Sequence, residues 1–141
     1  MGSAPTTDVD RPASLSMALT RAARALEIDL DAVLKPDGLA MDHWLVLECL
    51  VRERGLTMSA LSERTGTNSA TLTRVVDRLV TNATVYREVD MVDRRKVRVY
   101  ASSRGQALHR RLAGVVEGRE RALVEAGVIP ERIAAAVTVD R

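Results

Sequence analysis

A mainly α-helical fold, laid out as a winged helix-turn-helix between two long flanking helices, follows from three features of this 141-residue chain. From Leu56 to Gly105 the pattern runs short helix, turn, helix, strand, basic hairpin tip, strand. That order is the layout of a device that sets its second helix in the major groove of duplex DNA. The second feature is charge segregation: residues 64–111 hold 11 Arg or Lys against 4 acids, while the rest of the chain holds 10 against 15. A +7 module on a −5 frame therefore underlies the bland net charge of +2. The third feature is the apolar composition, 46% hydrophobic but only 2% aromatic. Such a core is built from Leu, Val and Ala, which suit helical stripes.

The elements follow in order. Residues 1–12, with Gly, Ser, two Pro and several Asp and Thr, read as a flexible arm. A long helix is predicted from Ala13 to Leu34, with Leu15, Leu19, Ala22, Leu26, Leu30 and Val33 on one face. Pro36, Asp37 and Gly38 end it. Residues 41–54 make a second helix, whose apolar face is Trp44, Leu47, Leu50 and Val51, with Leu45 and Cys49 beside it, and Gly55 terminates it. Thr57 precedes a short helix, Met58 to Arg64, and Gly66 makes the turn. Asn68 occupies an N-cap position. Leu72, Val75, Val76, Leu79 and Val80 then recur at helical spacing and define a buried face. Val85–Glu88 and Val97–Ala101 read as the strands of a hairpin. Ser102 or Ser103 caps a long last helix, Arg104 to Ala126, striped by Leu108, Leu112, Val115 and Leu123. Pro130 opens a short closing helix through Val137.

Length bounds the chain to one domain, residues 13–141, behind the arm. One cysteine excludes an internal disulfide framework. The first residues lack a basic-then-apolar signal, and no apolar run nears the roughly 18 residues of a membrane span. A cytoplasmic protein with no membrane partner is expected. No His/Cys/carboxylate group has metal-ligand spacing, and no glycine-rich phosphate loop or nucleophile motif occurs. The expectation is therefore neither an enzyme nor a cofactor or metal protein. Arg outnumbers Lys 19 to 2, and Arg is the better bidentate partner for phosphate and guanine.

The run Leu56-Thr57-Met58-Ser59-Ala60-Leu61-Ser62-Glu63-Arg64-Thr65-Gly66, then Ala70-Thr71-Leu72-Thr73-Arg74-Val75-Val76-Asp77-Arg78-Leu79, then Asp93-Arg94-Arg95 and Ser102 to Gly105, resembles the MarR family of bacterial transcription regulators. The resemblance covers most of the chain. It implies a homodimer whose terminal helices, residues 13–38 and 104–141, intertwine, with residues 41–103 as the DNA-binding lobe. It also implies a pocket between lobes for a small aromatic or phenolic effector. The chain departs from the family pattern in three places. Ala83-Thr84 stands where Gly-Leu is common, and Asn82 is the expected left-handed substitute. The wing carries Val89, Met91 and Val92, more apolar than usual. The closing helix is short.

The face of the second motif helix opposite its apolar stripe holds Ser69, Ala70, Thr71, Thr73, Arg74, Asp77 and Arg78. Arg74 is the candidate for a bidentate guanine contact. Ser69, Thr71 and Thr73 are candidates for bases or phosphates, and Arg78 for phosphate. At the wing, Arg94 and Arg95 suit a narrow minor groove. Asp93 repels phosphate and makes sense if it aims an arginine, and Lys96, Arg87 and Arg98 read as phosphate- or solvent-facing. His43 and Trp44 are the ligand-pocket candidates. Cys49 lacks a basic neighbour one turn before it and reads as a small core residue. The readings carried forward are a DNA-binding regulator, a repressor by the family's habit, on a pseudo-palindromic operator. The alternatives are a winged helix turned protein-interaction module, and a cysteine-based redox-sensing regulator. The polar and arginine-bearing helix face weighs against the interaction module, which would expose apolar anchors there.

Overall fold

The computed structural model describes Gly2 and residues 14–138. The arm expected over residues 1–12 lies, Gly2 apart, outside them. Helix α1 spans Leu15–Leu34, and the Ser14 hydroxyl accepts the Met17 N–H at its start. A 3₁₀ turn over Lys35–Asp37 closes on Gly38, whose φ of +70° is left-handed. Helix α2, Met41–Arg52, is fastened to that joint by two side chains. Asp31 of α1 accepts the Met41 N–H at 2.7 Å, and His43 Nδ1 accepts the Ala40 N–H at 3.0 Å.

The buried residues of α2 are Trp44, Val46, Leu47 and Leu50, whereas Val51 is exposed. The expected face was thus misplaced at one edge. The physical reason is that α2 is central, packed by α1, α3, α4, α5 and the sheet, so its buried arc is wider than one stripe. A two-residue strand, β1 (Leu56–Thr57), which the periodicity did not predict, leads into α3 (Met58–Thr65). Thr57 caps α3 through the Ala60 N–H, and Gly66 closes it with a left-handed φ of +69°.

Helix α4 runs Ser69–Thr81 from the Asn68 cap, whose side chain accepts the Thr71 N–H at 2.9 Å. Leu72, Val75, Val76 and Leu79 are buried as the spacing predicts. Strands β2 (Val85–Val89) and β3 (Val97–Ala101) pair antiparallel, Val85 with Ala101 and Val89 with Val97. β1 pairs with the other edge of β3, so the sheet order is β1-β3-β2. Helix α5 spans Ser103–Glu125 with Ser102 as its cap, and α6 spans Glu131–Thr138. On α5 the inward residues are Leu112 and Val116, not Val115, which is exposed. A step of four from Leu112, rather than three, follows the face that meets α1 and α2. One core joins Leu30 and Leu34 of α1, Trp44 and Leu47 of α2, Leu61 of α3, Leu72 and Val76 of α4, and Val99 of β3 to the α5 pair.

The passage from α4 to β2 corrects a further expectation. Asn82 stays right-handed at φ −80°, and Ala83 takes the left-handed position at φ +59°. The Ala83 N–H bonds the Val80 carbonyl and the Thr84 N–H bonds the Leu79 carbonyl. This paired pattern is a Schellman closure, which places its left-handed residue one past the cap whatever side chain stands there. Thr84 then turns inward, buried, with its hydroxyl donating to the Leu79 carbonyl at 3.0 Å. Its own carbonyl accepts the Ser102 N–H at 3.0 Å. A Cβ on Gly105 would stand 2.0 Å from that oxygen, so only glycine lets α5 approach so closely.

Two substitutions test this closure by urea denaturation at fixed protein concentration. Ala83→Gly removes a left-handed penalty of about 1–2 kcal/mol, partly offset by the entropy of glycine, so a net gain of up to about 1 kcal/mol is expected. Gly105→Ala is expected to cost about 1–3 kcal/mol through overpacking against the Thr84 carbonyl. Equal stability of all three proteins would contradict both.

Candidate nucleic-acid interface

The exposed side of α4 is set by its buried side. With Leu72, Val75, Val76 and Leu79 turned into the core, Ser69, Ala70, Thr73, Arg74, Asp77 and Arg78 are exposed and Thr71 is half-buried. Thr73 donates its hydroxyl to the Ser69 carbonyl at 2.9 Å, which leaves its oxygen lone pairs outward. Among the described residues, the Arg74 side chain has no hydrogen bond or ion pair. It is the uncommitted guanidinium in the middle of this face. Asp77 pairs instead with Arg87 of β2, tying the helix to the wing.

Arg78 is placed differently. A Cβ on Gly38 would lie 3.3 Å from an Arg78 guanidinium nitrogen. The side chain therefore reaches from the end of α4 to the α1–α2 joint. Its charge is felt there: burial first, and then Arg78, hold the His43 imidazole below its ordinary value. A neutral ring is what the Ala40 N–H requires of Nδ1 as acceptor.

The wing tip, residues 90–96, is closed by the Asp90 N–H to the Lys96 carbonyl at 2.8 Å and the Lys96 N–H to the Asp93 carbonyl at 3.0 Å. Asp93 accepts both the Arg95 backbone N–H at 3.1 Å and the Arg95 Nε–H at 3.3 Å. Arg95 nonetheless keeps 92% of its side chain exposed, a guanidinium aimed but not covered. Arg94 and Lys96 are exposed beside it. Together, α4 and the wing bring Ser69, Thr73 and Arg74 and the tip residues Asp93 to Lys96 onto one lobe.

Sequence reasoning missed the wing's fastener. Asp90 accepts the N–H groups of Val92 at 2.8 Å and Asp93 at 3.1 Å, and also the Arg98 Nε–H. Arg98 in turn donates to the Gly55 carbonyl at 3.1 Å. Arg98 is thus half-buried in the wing's root rather than facing solvent, because its neighbours on β3 lie beside the α2–β1 turn. Tyr100, on the same strand, stacks on Tyr86 at 5.3 Å and covers Gly55, where a Cβ would stand 2.7 Å from its ring. No short-range spacing announces this clamp. The Arg98 hydrogen bond, followed by the two amides, holds the Asp90 carboxyl down at about 2.

The two pocket candidates diverge although they are adjacent. His43 caps the start of α2, while Trp44 is buried and stacks face to face on His109 of α5 at 4.7 Å. Beside that stack lies a cavity of about 150 Å³ bordered by Glu48, Arg52 and Glu120. A larger cleft of about 580 Å³ opens between the Tyr86–Tyr100 pair, Arg54 and the start of α5. Among the described residues no cluster of His, Cys, Asp and Glu could hold a metal ion. No helix there is long and apolar enough to cross a membrane.

Residues 39–97, from the α1–α2 joint through the wing to the first residue of β3, match the MarR family. That match covers the lobe from α2 through the wing and leaves the two long terminal helices outside it. No curated protein sequence matches the chain significantly. Its fold is shared with solved MarR structures. Apo MarR from E. coli superposes with a TM-score of 0.77 at 20% identity, covering 92% of this chain and 96% of that one. MepR from S. aureus, solved as a DNA complex, gives 0.74 at 17% identity, covering 92% and 94%. A Mycobacterium tuberculosis MarR-family protein in complex with p-aminosalicylic acid gives 0.72 at 21%, covering 91% and 97%. The chain is mainly helical with a small three-stranded antiparallel sheet, the winged-helix form that its sequence predicts.

Cys49 is half-buried on α2. Burial, and then the neighbouring Glu48, push its thiol above the ordinary value. A protonated thiol is a slow nucleophile, so labelling with iodoacetamide at pH 7 is expected to be slow in the folded protein and fast after unfolding. Equal rates would contradict the burial argument. The Asp90 clamp gives a pH signature. Because its folded pKa lies below the ordinary carboxylate value, the clamp is complete above the unfolded pKa and is lost as pH falls through about 2. In an NMR titration the Val92 and Asp93 amide shifts should therefore move together with a midpoint near 2. A midpoint at the ordinary carboxylate value would contradict the clamp.

Proposed function

We propose that the protein is a transcriptional regulator that binds duplex DNA as a homodimer. The observation that carries this reading is the uncommitted Arg74, flanked by Ser69 and Thr73 on the exposed face of α4 and set on one lobe with a basic, clamped wing tip. A helix in the major groove and a wing on the adjoining backbone is the contact that such a lobe makes. The solved complex of MepR with DNA supports the same use of the fold. In this reading Arg74 reads a base, Ser69, Thr71 and Thr73 supply base and phosphate contacts, and Arg94, Arg95 and Lys96 follow the flanking groove. Asp93 aims Arg95. Arg78 bridges to the α1–α2 joint and bears on how the lobe is carried, beside any phosphate contact.

The dimer is proposed from apolar surface. Leu15 and Leu19 of α1 and Val115 of α5 are exposed on the single chain, at spacings that extend the buried stripes. A second copy that covers them pairs two lobes, residues 41–103, for two half-sites about 34–36 Å apart. Bound over promoter DNA, the dimer represses by occlusion, in the cytoplasm where that DNA lies. A small aromatic anion is the effector class. The p-aminosalicylic acid complex of the Mycobacterium tuberculosis relative and the cavities that set aromatic rings beside Arg52 and Arg54 support that class. Such an effector acts by favouring a lobe spacing that no longer fits DNA.

The test is a mobility-shift titration against genomic fragments, with light scattering on the same protein. Retention at about 50 mM salt, weakened by orders of magnitude at about 200 mM, is expected of a protein that neutralises several phosphates. Arg74→Ala should cost about 1–3 kcal/mol and relax preference at one base per half-site. No retention at low salt, or a scattering mass of one 15.4 kDa chain at micromolar concentration, would overturn the reading.

A further inference from the structure

Met91 and Val92 are the most exposed large apolar residues of the described chain, at 95% and 97%. They are contiguous, and they sit at the tip of the wing. They are not on a slack loop. The Val92 N–H is held by Asp90, Asp90 is held by Arg98, and Arg98 is held by the Gly55 carbonyl. The backbone at Val92 is thus tied to the wing's root, and the two apolar side chains stand open to water, covered by nothing among the described residues. Scattered exposed apolar residues need no account, but a fixed adjacent pair at an extremity marks a contact surface.

We propose that Met91 and Val92 form an apolar wedge that the wing sets into the minor groove of bound DNA, against a base step that yields. The inference rests on the DNA-binding reading above and names what the wing does there. The charge around the pair selects the occupant. Arg94, Arg95 and Lys96 follow within four residues, and all are exposed. Asp90 and Asp93 flank the pair directly, but each is paired with an arginine, Arg98 and Arg95, so the exposed charge left at the tip is basic and fits a partner with anionic edges and an apolar interior. The minor groove has phosphates on its rims and sugars and base edges within. Apolar side chains lodged there unstack a step and bend the duplex toward the major groove. The two residues suit complementary tasks. Met is unbranched and polarisable and can follow an irregular gap, and Val, stiff at χ1, backs it as a prop. Rigidity matters because a wedge on a mobile loop would lose in ordering what it gains in contact.

A specificity follows. Arginine alone in a minor groove favours stiff, narrow A-tracts, whereas a wedge favours pyrimidine–purine steps such as TA and CA, which unstack readily. This protein is inferred to prefer such a step under each wing, outside the bases that α4 reads.

The experiment uses the full chain and duplexes selected by the wild type from a random-sequence pool, with 2-aminopurine at the step under the wing. The comparison is the double variant M91S/V92S, which should melt like wild type because both side chains are solvent-exposed. Expected are about tenfold weaker binding, an unchanged salt slope since no charge is removed, loss of the 2-aminopurine signal, and a smaller bend by energy transfer between duplex ends. Replacing the step by an A-tract should erase the difference between the two proteins. If wild type binds the selected duplex and the variant matches it in affinity, fluorescence and bend, the wedge is overturned while the DNA-binding reading stands. If wild type selects no duplex at all, both fall. Binding to phosphatidylserine vesicles that depends on Met91 and Val92, with DNA affinity unaffected by the double substitution, also overturns the wedge and assigns the tip to a lipid surface.

Discussion

One backbone oxygen joins α4, the wing and α5. The Thr84 carbonyl accepts the Ser102 N–H, abuts the Cα of Gly105, and belongs to a residue whose amide and hydroxyl both return to the Leu79 carbonyl. The end of α4, the start of β2 and the start of α5 are thereby fixed to one another within a few ångströms. The Ser102 hydroxyl donates to the Ala83 carbonyl as well, at 2.7 Å, so the cap of α5 also locks the left-handed turn.

The Asp90–Arg98–Gly55 clamp extends that geometry outward. It carries the rigidity of the core, through the covered Gly55 turn, to a tip that otherwise would hang from two strands. The division of arginines then becomes intelligible. Arg87, Arg98 and Arg111 are engaged with Asp77, Asp90 and Asp37 and serve the architecture. Arg74 has no such partner among the described residues, and Arg95 is paired yet still mostly open to solvent. A basic window of the sequence is thus two populations, one consumed in holding the lobe and one held out from it.

This division explains what was legible in the sequence. The buried face of α4 was readable because four apolar residues at helical spacing and the Asn68 cap are local facts. The exposed candidates Ser69, Thr73 and Arg74 follow from that face by subtraction. The roles of Arg87 and Arg98 were not readable, because their partners lie ten and eight residues away across turns whose path only the fold decides. Asn82 was the better left-handed residue by propensity, but the closing hydrogen bonds chose the position, and Ala83 stood there. β1 is too short for any period to register. Val46 in place of Val51, and Val116 in place of Val115, mark the helices whose packing comes from several sides. His43 and Trp44 differ for a simpler reason: adjacent residues on a helix face about 100° apart, so a pair at its start divides between cap and core.

The chain has one tryptophan, and it is stacked on a histidine across the seam between α2 and α5. Burial holds His109 below its ordinary value, which favours the neutral ring against the indole. An imidazolium in van der Waals contact quenches indole emission, and a neutral imidazole quenches it far less. The stack is consequently a native optical gauge of the spacing between a helix of the lobe and a helix outside it. Any event that slides α5 along α2, or admits a proton to that seam, is written into the emission of a single residue without a label.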